Sequence, residues 1–198
     1  MLHLNGKRLI LASGSPRRRE LLAGLDLDFE VDTRNNFNEC FDPSTPFEEV
    51  PMLMAHGKSH GFHRVLEKDE ILITADTMVI LPGKEILGKP KDREDAFRML
   101  RDLSGKDHLV ITAVVLRSTQ KEESFSATTT VSFKELSDEE IAYYIDTYKP
   151  YDKAGAYAIQ EWIGHIGISG IDGSYFNVVG FPVQRLYAAL ERFVGVVS

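Results

Sequence analysis

Apolar residues in this chain come as short blocks separated by stretches in which they recur every three or four positions. Leu9-Ile10-Leu11-Ala12 reads as a buried strand, followed by a small-residue turn at Ser13-Gly14-Ser15. Pro16 suits the first position of a helix, and Leu21, Leu22 and Leu25 share one face of the stretch from Pro16 to Leu25. Phe29-Glu30-Val31 is a second short strand. Residues 32–46 are polar, contain Pro43 and Pro46, and predict an irregular loop. A helix is expected from Glu48 or Pro51 to Leu66. Ile71 to Thr74 reads as a buried strand that ends at Ala75-Asp76-Thr77, with Met78 to Leu81 extended beyond it. Pro82-Gly83-Lys84 then turns the chain towards Ile86-Leu87.

In the second half, Asp92 is a suitable N-cap for a helix through Leu103, with Ala96, Phe97, Leu100 and Leu103 as its apolar face and Gly105 ending it. Two β-rich runs, His108 to Leu116 and Phe125 to Phe133, are joined by polar residues 117–124, which predicts an antiparallel pair. Ser137-Asp138-Glu139-Glu140 has the form of a capping box for a helix to Tyr148. Gly155 to Gly173 is glycine-rich with Ile at alternating places. Pro182 opens a final helix striped by Val183, Leu186, Leu190 and Val194, which are expected in the core. Strands alternating with helices, plus one hairpin, predict an α/β fold with a mixed sheet flanked by helices.

Composition narrows the partners more than the fold. At 198 residues, 43% of them hydrophobic and 27% charged, the chain suits one domain, or one domain with a smaller lobe. A net charge of −7 argues against a nucleic-acid partner but leaves a nucleotide ligand open, because local cations decide such a site. Cys40 is the single cysteine, so an intrachain disulfide and a multi-cysteine metal site are excluded. Met1 to Arg8 runs into the first strand without an apolar signal segment, and no apolar run reaches membrane-spanning length. The expectation is a cytoplasmic protein with no membrane partner.

Candidate chemistry concentrates at two strand ends. The helix starting at Pro16 presents backbone N–H groups and about half a positive charge at its N-terminus. Ser13, Ser15 and Arg17-Arg18-Arg19 converge there, an assembly suited to a polyphosphate, although a capped helix with solvated arginines has the same sequence. Asp76, at the expected carboxyl end of a buried strand, occupies the usual ligand position of open α/β sheets. It could hold Mg²⁺ or Mn²⁺ or polarise a water; an Asp turn is the plain alternative. Lys89, stiffened by Pro90, could aim at a phosphate. Glu39, Lys58 and Gln160 carry little signal individually. His56, His60 and His63 have i, i+4 and i, i+3 spacing, but no Glu stands in the metalloprotease position, so no zinc site is expected.

Taken in order, several segments resemble the Maf family of nucleoside triphosphate pyrophosphatases along nearly the whole chain. They are Leu11-Ala12-Ser13-Gly14-Ser15-Pro16-Arg17-Arg18, Glu39, Lys58, Ala75-Asp76-Thr77, Leu87-Gly88-Lys89-Pro90 and Leu103-Ser104-Gly105 with His108 and Thr112. Asp152 to Gln160 and Gly173 to Gly180 complete the set. The resemblance implies hydrolysis between the α and β phosphates of a nucleoside triphosphate with a divalent metal, Mg²⁺ or Mn²⁺. It also implies an elongated α/β fold akin to the inosine triphosphate pyrophosphatases, a single domain of two lobes around a central cleft, and a homodimer. By the same resemblance Asp76 is the proton acceptor or metal holder and Glu39 a second acidic residue at the metal. Ser13, Arg17, Arg18, Lys58 and Lys89 bind the triphosphate, with Lys58 expected to matter least of the four cations.

Thr77 after the aspartate, with Arg17 and Gln160, is similar to the family branch acting on dTTP and UTP; the branch acting on 7-methyl-GTP has Gln after the aspartate. A non-catalytic nucleotide-binding regulator of cell division is the alternative from another class, and the retention of Asp76 and Lys89 speaks against it. Two departures stand out. Asn35-Asn36-Phe37-Asn38 precedes Glu39 where the family tends to be more acidic, and Gly57 in Ala55-His56-Gly57-Lys58 should weaken its helix by about 1 kcal/mol.

Overall fold

Leu9 and Leu11 point to one side of the first strand and Ile10 to the other, and all three are buried, so this strand is covered on both faces. A computed structural model describes residues 2–83 and 85–195 of the chain. Its elements are β1 (Arg8–Leu11), α1 (Pro16–Ala23), β2 (Phe29–Val31), α2 (Val50–His60), β3 (Glu70–Leu81), β4 (Glu85–Leu87), α3 (Arg93–Leu103), β5 (Asp107–Arg117) and β6 (Glu122–Phe133). They continue with α4 (Asp138–Tyr148), a 3₁₀ turn (Ala154–Ala156), α5 (Trp162–Gly167), β7 (Ile168–Asp172), α6 (Tyr175–Val179) and α7 (Val183–Val194). Seven strands form one sheet in the order β2-β1-β3-β5-β6-β7, with β4 paired to β3. β1 is parallel to β2 and β3, whereas β3–β4 and β6–β7 are antiparallel. Residues 118–121 join β5 to β6, and the Ser118 N–H donates to the Lys121 carbonyl (2.9 Å). Such a short connection is open only to antiparallel neighbours. The mixed α/β fold read from the sequence is the observed one.

The chain forms two compact units, residues 1–76, 112–127 and 180–198 in the first and 77–111 and 128–179 in the second. In the first, Leu9, Leu11, Ile71, Ile73, Val114 and Leu116 pack on one side of the sheet against Leu22 of α1 and Leu186, Ala189, Leu190 and Phe193 of α7. On the other side Ile10 and Leu72 meet Phe62 and Leu66, and Ala113 and Val115 meet Ala55 of α2. In the second unit, Leu100 and Leu103 of α3 and Ile141, Tyr144 and Ile145 of α4 pack with Val110, Val131 and Phe133. Helix starts are as expected. Asp92 accepts from the Asp95 N–H (2.8 Å), and Ser137 and Glu140 close a reciprocal capping box. No helix among the described residues is long and apolar enough to cross a membrane.

Two expectations change. α2 ends at His60 instead of Leu66, because the Gly61 carbonyl accepts from the Asn36 N–H (2.8 Å) and the chain leaves the helix to bury Phe62 and Leu66. β3 is continuous through Asp76, which therefore lies inside a strand and not at its end. The parallel pairing with β1 stops at Ile73, but Val79 to Leu81 find a second partner in β4, so the backbone between stays extended. The glycine-rich stretch holds α5 and β7, and α6 follows it. The turn expected at Pro82-Gly83-Lys84 is seen at Pro82 and Gly83, and Lys84 lies outside the described residues.

Candidate active site

Side chains alternate along β3, and that alternation decides which groups meet. Ile71, Ile73 and Ala75 face α1 and α7, so Leu72, Thr74 and Asp76 face the α2 side. Thr74 Oγ1 donates to the Ala55 carbonyl (2.8 Å), fixing α2 against the strand. Lys58 lies three residues beyond Ala55, on the same face of the helix. Its Nζ sits 2.6 Å from Asp76 Oδ1 and 3.1 Å from Glu39 Oε1. One ammonium thus bridges two carboxylates from segments 37 residues apart in sequence.

Asp76 is 8% exposed, and its Oδ2 is buried without a hydrogen-bond partner among the described residues. Burial pushes the Asp76 carboxyl above its ordinary value; Lys58 and Arg18 oppose that shift and Glu39 adds to it. Such a carboxylate is a stronger proton acceptor than a solvated one, and its open oxygen points to a missing partner.

Arg18 fastens the turn at the start of α1. Its Nε donates to the Gly180 carbonyl (3.0 Å), and its Nη1 donates to the Ala75 carbonyl (2.9 Å) and Ser13 Oγ (3.3 Å). Ser15 caps the helix by accepting from the Arg18 N–H (3.4 Å), and its own N–H donates to Ser13 Oγ (3.3 Å). Burial lowers the affinity of the Arg18 guanidinium for its proton, and Asp76 works against this. Arg17 is half-buried on the same turn.

Glu39 is brought to Lys58 by the loop that departs from the family pattern. Asn35 Nδ2 donates to the Lys58 carbonyl (2.6 Å), the Phe37 N–H donates to Asn35 Oδ1 (2.8 Å), and the Phe37 ring lies against Gly57. The two departures in sequence are therefore one packing feature. A paired signal was present, an aromatic in an Asn-rich loop and glycines in a helix, but nothing local says that they touch.

Thr77, Lys89 and Gln160 belong to the second unit. Thr77 is half-buried on β3, whereas Lys89 and Gln160 are exposed. Gly155, at φ +68°, donates its N–H to the Gly88 carbonyl (3.0 Å) and joins the Lys89 segment to the Asp152–Gln160 segment. A Cβ there would meet the Val79 side chain at 3.0 Å. Lys153, to which the sequence reading gave no role, is buried with its Nζ 2.9 Å from Asp152 and 3.3 Å from Glu161. Tyr144 donates its hydroxyl to that same Glu161 and accepts the Ala158 N–H (3.2 Å).

His63 pairs with Asp32 (2.9 Å), but His56 and His60 both reach Glu122, a residue 62 positions beyond His60 that no local spacing could supply.

Comparison with known proteins agrees with these motifs. Residues 8–193 match the family described as Maf-like protein. A dTTP/UTP pyrophosphatase from Phocaeicola vulgatus is 52% identical over 190 residues, covering 96% of this chain and 98% of that protein. A dTTP/UTP pyrophosphatase from Bacteroides thetaiotaomicron is 47% identical over 190 residues, with coverage of 96% and 98%. Among solved structures, a HAM1 protein from Coxiella burnetii aligns with a TM-score of 0.48 and 12% identity over 94% of this chain and 99% of that one. With its motifs in order from end to end and relatives at this identity over almost its full length, the chain belongs to the Maf family.

Proposed function

We propose that this protein hydrolyses dTTP and UTP between the α and β phosphates, giving the nucleoside monophosphate and pyrophosphate. The observation that carries the reading is Asp76, a buried carboxylate with one oxygen on Lys58 and the other without a partner among the described residues. In the reaction water forms the new bond to phosphorus, the α–β bridge breaks, and the proton lost by water passes to Asp76. Lys58 holds Asp76 in place and keeps its ionised form accessible despite burial. Ser13, Arg17, Arg18 and Lys89 bind and neutralise the triphosphate, so that the developing charge meets fixed cations. Lys89 also assists departure of pyrophosphate through its positive charge.

A divalent cation fits the donor set. Asp76 Oδ2 and the Glu39 carboxylate are hard oxygen ligands of the type that Mg²⁺ and Mn²⁺ take. Such an ion, when bound, neutralises phosphate charge and lowers the pKa of a water.

Selectivity rests on Arg17, Thr77 and Gln160, and the names of the relatives support it. A hydroxyl and an amide can pair with the O4 and N3–H edge of uracil or thymine. Cytosine reverses that pattern and would leave a site group unpaired, at a cost of about 1–3 kcal/mol. The reading carries with it a cytoplasmic location and a homodimer. The test is pyrophosphate release from dTTP, UTP, CTP, GTP and 7-methyl-GTP, with Mg²⁺ and with Mn²⁺. dTTP and UTP should lead with similar kcat/KM; preference for 7-methyl-GTP would assign the chain to the other branch.

A further inference from the structure

His56 and His60 stand one turn apart on α2, and Glu122, the first residue of β6, reaches both of them. His56 Nδ1 is 3.0 Å from Glu122 Oε1, and His60 Nε2 is 3.0 Å from Glu122 Oε2. The two rings stack at 14° with centroids 6.2 Å apart, so each presents a nitrogen towards the same carboxylate. One ligand atom from each of the three residues lies within 4.8 Å of the others.

We propose that His56, His60 and Glu122 form a site for a late first-row divalent cation, Zn²⁺ above all, separate from the oxygen donors at Asp76. Two imidazoles and one carboxylate are a donor set for Zn²⁺ with a fourth position left to water. Bonds of about 2.1 Å in a tetrahedral centre place neighbouring donor atoms about 3.4 Å apart. The His–Glu separations are already within a few tenths of an ångström of that spacing. Closing the His–His gap needs rotation of His60, whose side chain is 62% exposed. Arg117 supports the carboxylate from outside the ligand set. Its Nε is 4.0 Å from Glu122 Oε2 and 2.9 Å from Ser59 Oγ, and its Nη2 donates to the Ser59 carbonyl. A bound ion would clip α2, the helix that carries Lys58, to the start of β6. Mg²⁺, which prefers oxygen ligands and sheds water reluctantly, is a poor occupant of two imidazoles, so the two sites differ in metal as well as place.

The test uses the full-length, metal-stripped Asp76→Asn protein, whose oxygen-donor site has lost one of its two carboxylates, titrated with Co²⁺ and Zn²⁺. One equivalent of Co²⁺ should develop a saturable visible absorption band, Zn²⁺ should displace it, and excess Mg²⁺ should not. Adding His56→Ala, His60→Ala or Glu122→Gln should each weaken Co²⁺ binding by about tenfold or more, since loss of a supporting hydrogen bond alone costs that much. Circular dichroism confirms that each variant is folded, and Glu122→Gln retains the shape of the side chain it replaces. Absence of a saturable band, or undiminished affinity in His60→Ala and Glu122→Gln, overturns the proposal. Neither result bears on turnover of nucleotides, which is measured separately with Mg²⁺.

Discussion

The ring of Phe37 occupies the space that a Cβ at Gly57 would fill, with Cε1 2.6 Å from that position. Gly61, one turn later, is equally crowded: a Cβ there would lie 2.8 Å from the Phe37 backbone nitrogen and 2.6 Å from Asn35 Oδ1. Glycine weakens α2, but it opens the seat that docks the Glu39 loop on the helix carrying Lys58.

Gly57→Ala should therefore lower stability, although alanine is the better helix former by about 1 kcal/mol. Overpacking of this kind costs about 1–3 kcal/mol unless the ring swings out, and then the loop bearing Glu39 loosens. Gly61→Ala should be worse, because it meets backbone. Urea denaturation checks both, and Phe37→Ala combined with Gly57→Ala should be non-additive. A Gly57→Ala protein more stable than the parent would contradict the packing.

Asp76→Asn should lose about 10²–10⁴ in turnover while staying folded. Burial raises the folded-state pKa of Asp76, so its contribution to stability is present below the ordinary carboxylate range and is withdrawn as pH rises through the folded value. The variant should accordingly match or exceed the parent in stability at pH 7, with that advantage vanishing below about pH 4. Thermal melts across that range, alongside pyrophosphate release, decide it.

Lys58 touches both carboxylates. Lys58→Met removes the charge that opposes desolvation of Asp76, so the acid limb of kcat/KM should move to higher pH and kcat should fall. Lys58→Arg, which keeps a cation, should restore the limb towards its original position. An unmoved limb in Lys58→Met would separate Lys58 from the titration of Asp76.

His108 is fully buried, hydrogen-bonded to the Tyr157 hydroxyl (2.7 Å), and burial brings its pKa down from 6.5 to about 4. Its Nδ1 has no partner among the described residues. A histidine depressed on folding contributes stability fully above its unfolded pKa and loses it as pH falls from about 6.5 towards about 4. The change should be on the order of 3 kcal/mol. In His108→Phe this slope should disappear, as denaturation at pH 7, 6 and 5 would reveal.

Arg18 donates in two directions, to Gly180 and to Ala75 and Ser13. A lysine cannot span that fork, so Arg18→Lys should destabilise the first unit by about 1–3 kcal/mol beyond any effect on substrate. Equal stability of the two proteins in urea would leave Arg18 with a ligand role alone.

Helix starts were legible because a cap is a contact between residues three apart: Asp92 and Ser137 each accept the predicted N–H. The strands were legible where both faces are buried, as at Leu9 to Leu11, and the ordered motifs named the family. Residue identity also marked Asp76 and Arg18 as candidates for chemistry. Which groups they face was not legible. That Lys58 meets Asp76 depends on the parity of β3, on Thr74 holding Ala55, and on Phe37 seated at Gly57. Glu122 beside His56 and His60 depends on where β6 begins relative to α2. Capping and periodicity are energies of neighbours along the chain and can be read from it. The bridge through Lys58 and the histidine cluster are energies of segments brought together by packing, and those distances exist only once the sheet and its helices have assembled.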